Sequence, residues 1–155
     1  MKTVAPFEVA FTAKDLDALL PFYTGVLGFA VHSDLVVAPD KGRASGLSPT
    51  GYRVVRLETD LGHRFKLAQP TAPPVAAAPA DFAMQRQGGA YVTFIVSGLP
   101  ALHARLAAAG ARVLSDGVMQ VRPGVGLLLV QDPEGNHLEF VEYADLDAYR
   151  MPAGA

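Results

Sequence analysis

The sequence predicts an α+β fold built from two tandem βαβββ units, each a small curved mixed sheet with one helix laid on a face. Three observations predict it. Apolar residues alternate with period two, then recur with period 3.6, then alternate again. That whole order starts a second time at Tyr91. And the two halves align on themselves: E-V-A-F-T-A-K-D-L from Glu8 matches Y-V-T-F-I-V-S-G-L from Tyr91, and G-H-R-F-K-L-A-Q from Gly62 matches G-N-H-L-E-F-V-E from Gly135.

The elements follow in order. Phe7, Val9 and Phe11 alternate with Glu8, Ala10 and Thr12, which reads as a half-buried strand. Asp15 or Asp17 can cap the next helix, whose stripe is Leu16, Leu19, Leu20, Tyr23, Val26 and Leu27. Pro21 removes a backbone donor inside it and is expected to kink it. Gly28 ends it. Residues 29–37 read as a second strand, and 38–50 read by composition as a loop long enough to cover a site. Residues 52–59 and 63–69 are strands joined by a turn at Asp60-Leu61-Gly62. Residues 70–89 are rich in Pro and Ala and read as a linker, with a short helical piece over 81–87. The second unit runs over 90–143. It has a strand at 91–96 and a helix opened by Pro100, striped by Leu102, Leu106 and Ala109 and closed by Gly110. Strand pieces follow at 111–114, 118–121 and 126–131. Residues 144–155 read as a tail, so unit one spans about 5–69 of a single 155-residue domain.

The apolar faces (Phe7, Val9 and Phe11; Phe65 and Leu67; Val92 and Phe94; Leu138 and Phe140) are expected under the helices. The opposite faces are then expected to line a shared cavity.

Composition excludes several classes. Half of the residues are hydrophobic and 18% are charged, with net charge −2, which gives no footprint for nucleic acid or an anionic membrane. There is no Cys, so disulfides, thiolate nucleophiles and zinc-thiolate sites are out. No run of 18 apolar residues and no apolar leader core occurs, which predicts a soluble, cytoplasmic protein without a membrane partner.

One stretch concentrates the chemistry. D-P-E-G-N-H-L-E-F-V-E-Y, from Asp132 to Tyr143, is a Pro/Gly turn feeding a strand. Leu138 and Phe140 point one way; His137, Glu139 and Val141 point the other. Glu139 is thus a mid-strand carboxylate: a ligand, an acid/base, or half of an ion pair.

This stretch, with A-K-D-L-D-A-L-L-P-F-Y-T-G-V-L-G-F from Ala13 and F-I-V-S-G-L-P-A-L-H-A-R-L-A-A-A-G-A from Phe94, resembles the vicinal oxygen chelate superfamily, the glyoxalase/bleomycin-resistance/extradiol-dioxygenase group. The resemblance covers about residues 7–143. It implies that fold, a homodimer and a small organic ligand. It leaves the activity open, because the superfamily hosts lyases, epimerases, dioxygenases, thiol transferases and drug-binding proteins.

In metal-using members, the first and fourth strands of each unit supply the ligands, usually His, Gln or Glu. Carried over, those positions are Glu8, Lys66, Tyr91 and Glu139. Glu8 and Glu139 suit a hard divalent ion; a protonated Lys66 does not, and Tyr91 is a poor ligand at neutral pH. An ammonium about 4 Å from a divalent ion is repelled by roughly 8 kcal/mol at an effective dielectric of 20. That is about the free energy of micromolar metal binding. The expectation is therefore a protein without a cofactor, in which Lys66 stands in the metal position between Glu8 and Glu139.

On this reading the chain binds a small molecule in the manner of bleomycin-resistance proteins. Lys66 and Arg64 anchor polar groups, and Tyr91, Tyr52 and His137 give contact. The alternative is a metal-dependent enzyme, a lyase/isomerase or dioxygenase holding a divalent metal with Glu8 and Glu139, with His137 as a neighbour. Metal-free catalysis would use Glu8 or Glu139 as base and Lys66 as electrophile. Each residue also has a plainer reading: a solvated strand lysine, a packed aromatic, a core histidine.

Overall fold

The computed structural model describes residues 4–5, 7–75, 82–85 and 88–150, leaving aside the side chains of 148 and 150. The chain divides into two compact units, Met1–Ala77 and Ala78–Ala155.

Unit 1 is a four-stranded sheet. Its strands are β1 (Glu8–Thr12), β2 (Ala30–Val37), β3 (Tyr52–Glu58) and β4 (Arg64–Pro70), in the order β1-β4-β3-β2. β1 and β4 run parallel and the other pairs antiparallel, so the sheet is mixed. The crossover between β1 and β2 is helix α1 (Leu16–Pro21). Its start is fixed twice. The Asp15 carboxylate accepts from Ala18 N at 3.1 Å, and Gln69 Oε1 accepts from Leu16 N at 2.8 Å. Both satisfy amide donors that a helix N-terminus leaves open.

At Pro21 the helix widens into one π-helical turn, Phe22–Val26, closed by Leu27 N donating to Phe22 O at 3.1 Å. Proline lacks the donor that a regular turn needs, so the expected disturbance takes the form of a wider turn. Leu16, Leu19, Phe22 and Tyr23 are buried, as are Val55, Leu57, Phe65 and Leu67 on one face of the sheet. Phe7 does not join them and is 81% exposed. Pairing with β4 begins at Glu8↔Arg64, so Phe7 lies past the sheet's end, and Val9 and Phe11 carry that face alone.

The expected loop at 38–50 is partly helical. Pro39 opens α2 (Pro39–Ala44), as proline does at a first helical position. The chain then folds back onto it: Leu47 N and Ser48 N both donate to Gly42 O. A Cβ at Gly42 would stand 2.6 Å from Thr50 O, so the return is too close for any side chain there.

Unit 2 repeats the plan. Its strands are β5 (Tyr91–Ile95), β6 (Arg112–Val113), β7 (Met119–Arg122), β8 (Val125–Gln131) and β9 (His137–Tyr143). The order is β5-β9-β8-β6, with β7 also paired to β8. Helix α3 (Leu99–Ala108) buries Leu99, Leu102 and Leu106. Leu128, Val130, Leu138 and Phe140 are buried on the sheet. The expected tail carries a short helix, α4 (Leu146–Arg150). Residues 81, 86 and 87 of the helical piece expected over 81–87 lie outside the described residues; within it, 82–85 form a turn in which Gln85 N donates to Phe82 O.

The repeat seen in the sequence extends to the register. The aligned residues Glu8 and Tyr91 open β1 and β5, and they pair with the aligned residues Arg64 and His137. Gly62 and Gly135, also aligned, both adopt positive φ in the turns that lead into β4 and β9, a conformation that only glycine takes without strain. Gln69 and Glu142, aligned again, do the same work. The Glu142 carboxylate accepts from Gly98 N and from Leu99 N at the start of α3.

Candidate functional site

In unit 1 the face turned away from α1 is charged, and strand pairing explains why. The turn centred on Leu61 sets Arg56 opposite Lys66 and Glu58 opposite Arg64. Residues directly opposite share a face, so four charged side chains of β3 and β4 stand together. β1 adds Glu8 opposite Arg64, and β2 adds Ser33 opposite Arg56. β2 pairs irregularly between Val31 and Ser33, and His32, inside that bulge, brings Nδ1 within 3.4 Å of Glu58 Oε2.

The contacts within this face are specific. Lys66 Nζ lies 2.9 Å from Glu8 Oε2. Arg64 lies 3.1 Å from Glu58 Oε2 through Nε and 3.8 Å from Glu8 Oε1. Arg56 donates to Ser33 Oγ at 3.3 Å. The Lys66 hydrogen bond is the main cause that holds the Glu8 carboxyl below the usual range; partial burial opposes it, and the charges of Lys66, Arg56 and Arg64 assist.

The sign follows. A carboxyl depressed in the folded state stabilises the fold above the ordinary carboxylate range, and that contribution is lost as the pH falls through its lowered value. Replacing Lys66→Met should raise the Glu8 titration midpoint back toward the ordinary range and flatten the acid limb of stability. A carbon-detected NMR titration of the Glu8 carboxyl reads this directly. An unchanged midpoint in the variant would show that the pair does not form in solution.

The other sequence-derived candidates are placed as follows. Tyr52 shares the charged face but stands four residues from Arg56, about 13 Å along the strand at 3.3 Å per residue. In unit 2, Tyr91 is 46% exposed, and Glu139 accepts from Thr93 Oγ1 at 2.6 Å across the parallel β5/β9 pair. His137 is 5% exposed and sits against Gln131, with Gln131 Nε2 and His137 Nε2 at 3.2 Å. Arg112 donates to Gln131 Oε1 at 3.1 Å, which fixes the amide so that its nitrogen faces the imidazole. Gln131 thus turns its amide nitrogen toward His137 Nε2 and also donates to Gly135 O at 3.3 Å.

Asp132, the first residue of the Asp132–Tyr143 stretch, is buried and builds the turn. Its carboxylate accepts from Glu134 N, Asn136 N and Asn136 Nδ2 at 2.8–2.9 Å. A shallow depression of about 290 Å³ in unit 2, lined by Val118, Met119, Gly126 and Glu142 among others, lies on the α3 side and away from Glu139.

The donor set around Glu8 does not fit a divalent cation. Its carboxylate is held by an ammonium and faces a guanidinium, both repelled by a metal charge. Among the described residues no group of three or more His, Asp or Glu side chains is arranged to hold a metal.

Sequence reasoning missed Arg56, Glu58, His32 and Ser33. The signal for the first two was present, since a turn centred on Leu61 dictates Arg56↔Lys66 and Glu58↔Arg64. The signal for His32 and Ser33 was absent, because β2 meets β3 through a bulge that slips the alternation.

Comparison with known proteins bears on the fold and the family. A glyoxalase family protein from Bacillus cereus superposes with a TM-score of 0.79 at 21% identity, covering 94% of this chain and 97% of that one. A trypanothione-dependent glyoxalase I from Leishmania major gives 0.65 at 15% identity, covering 96% and 92%. A glyoxalase family protein from Enterococcus faecalis gives 0.62 at 18% identity, covering 91% and 98%. These likenesses show the fold. No curated protein sequence matches the chain. The family described as the glyoxalase-like domain matches residues 8–141, and with that the chain belongs to the glyoxalase-like domain family of the vicinal oxygen chelate superfamily.

Proposed function

We propose that this chain is a metal-independent small-molecule binding protein of the glyoxalase-like family. The observation that carries the reading is the 2.9 Å pair between Lys66 Nζ and Glu8 Oε2. The resemblance puts a metal ligand at both positions, and here one of them is an ammonium bound to the other. A fixed cation in that place offers hydrogen-bond donors to a polar group of a ligand, but no open coordination site for chelating two vicinal oxygens. The reading takes a small organic molecule and a second copy of the chain as partners, and no resident cofactor. Among the described residues no helix is long and apolar enough to cross a membrane.

The test is metal content together with a chelator. Protein purified without chelators should carry far less than one equivalent of divalent metal per chain. A chelator should leave its melting temperature unchanged, because a ligand bound to the native state stabilises it and its removal lowers the midpoint. One tightly held divalent ion per chain, with a chelator-sensitive melting temperature, would overturn the reading in favour of a metalloenzyme using Glu8 and Glu139.

A further inference from the structure

The charged face of unit 1 holds three cations, Arg56, Arg64 and Lys66, against two carboxylates, Glu8 and Glu58. The two carboxylates are both taken. Glu8 is bound by Lys66 with Arg64 beside it, and Glu58 is bound by Arg64 with His32 beside it. The cation left over is Arg56. Among the described residues no carboxylate comes within ion-pair distance of it, and its hydrogen bond is the long one to Ser33 Oγ.

Its setting is unfavourable as it stands. Arg56 is half-buried, and its direct cross-strand partner is another cation, Lys66. Like charges opposite one another on a sheet repel. A guanidinium has five donors in a planar fork, so most of its donor capacity is open. An anion seated on it would cancel the excess charge, relieve the repulsion from Lys66 and fill the fork.

We infer that Arg56, with the Ser33 hydroxyl beside it and Lys66 opposite, is the anchor for a monoanionic carboxylate on the ligand; this rests on the small-molecule reading and names the class of molecule. The excess on this face is a single positive charge, which matches one carboxylate better than a dianionic phosphate. A carboxylate also presents two coplanar oxygens to a planar fork. The anchoring assigned from sequence to Arg64 and Lys66 thereby centres on their neighbour Arg56, with Lys66 adding its charge and spare donors while it holds Glu8, and with Arg64 holding Glu58.

The experiment is a titration of the whole chain with benzoate, followed by the Arg56 Nε–H signal and the backbone amides of Ser33, Arg56 and Lys66. Benzamide is the neutral control and phenyl phosphate the dianionic one. Benzoate should shift those four signals, and benzamide should not. Arg56→Gln should weaken benzoate binding about ten- to hundredfold, the range for a charge-assisted hydrogen bond. Arg56→Lys, which keeps the charge and loses the fork, should fall between the two. Arg105→Gln, which removes one positive charge from α3 in the other unit, should bind as the parent does.

Equal shifts by benzamide would overturn the anion class and leave small-molecule binding intact. Stronger binding of phenyl phosphate would overturn the carboxylate assignment. Silence of these signals in benzoate would overturn the anchor itself. The metal-free reading is judged separately, by metal content.

Discussion

Replacing Phe65→Ala should cost about 3–5 kcal/mol, the range for emptying an aromatic from a packed core. Phe65 is 3% exposed as the second residue of β4. Its ring meets Phe11 edge-on at 4.9 Å, stacks on Tyr23 at 5.1 Å and lies 6.5 Å from Phe29. Those three rings come from β1, the π-helical turn and the residue just before β2, so one side chain ties together three consecutive pieces of unit 1. The loss is therefore the apolar transfer of the ring plus three ring contacts, each adding about 0.5–1.5 kcal/mol beyond area. Leucine fills part of the space and should cost about 1–2 kcal/mol. Urea unfolding followed by tyrosine fluorescence reads the change in free energy, and thermal unfolding should show a fall in melting temperature of about 10 °C for alanine. A loss below about 1 kcal/mol for the alanine variant would mean that the aromatic cluster does not hold the unit together.

The second large effect concerns Glu142. Its carboxylate accepts from both Gly98 N and Leu99 N, where α3 begins. Gly98 is the cap residue and has no side chain to do this itself. In unit 1 the load is shared: Asp15 serves Ala18 N, and Gln69 serves Leu16 N. Glu142→Ala should therefore cost about 1–2 kcal/mol, and the amides of Gly98 and Leu99 should exchange with solvent faster. Glu142→Gln should recover only part of the loss, because the two Glu142 oxygens each take one amide and a glutamine has a single acceptor oxygen, enough for one of them, as Gln69 serves Leu16 N alone. A glutamine variant as stable as the parent would show that α3 does not require both carboxylate oxygens.

Both results probe features that the sequence revealed unevenly. The order of elements was legible because period two and period 3.6 separate cleanly in segments such as Phe7–Ala13 and Leu99–Ala108. The repeat was legible too, and it carried the strand register further than any single motif. Phe7 misled because alternation tells which face a residue takes, and says nothing of where pairing stops. Residues 38–50 misled because Pro, Gly, Ser and Lys look like loop in composition, while Pro39 at a first helical position starts a short helix. The tie from Arg53 to Asp34 at 2.7 Å and to Asp17 at 2.7 Å was invisible. It joins β3, β2 and α1, and no local pattern reports a meeting of three elements. Hydrogen bonds from Arg53 hold the Asp34 carboxyl below the usual range and push the Arg53 guanidinium up.

The site was half legible for the same kind of reason. Glu8 and Lys66 were found through motif position, and they stand together within one unit. Arg56 carried no motif, and only hairpin geometry puts it beside Lys66. Glu139 was found in the same way as Glu8, and its partner inside its own unit is the Thr93 hydroxyl.

The matched pairings Glu8↔Arg64 and Tyr91↔His137 have a consequence for the charge that each half carries. The backbone of both halves is held by turn glycines, helix-capping acceptors and inward apolar groups, none of which sits at those four positions. The two halves hold different side chains there, acid against phenol and guanidinium against imidazole, on the same frame. Local charge therefore differs between the halves without any change of strand register.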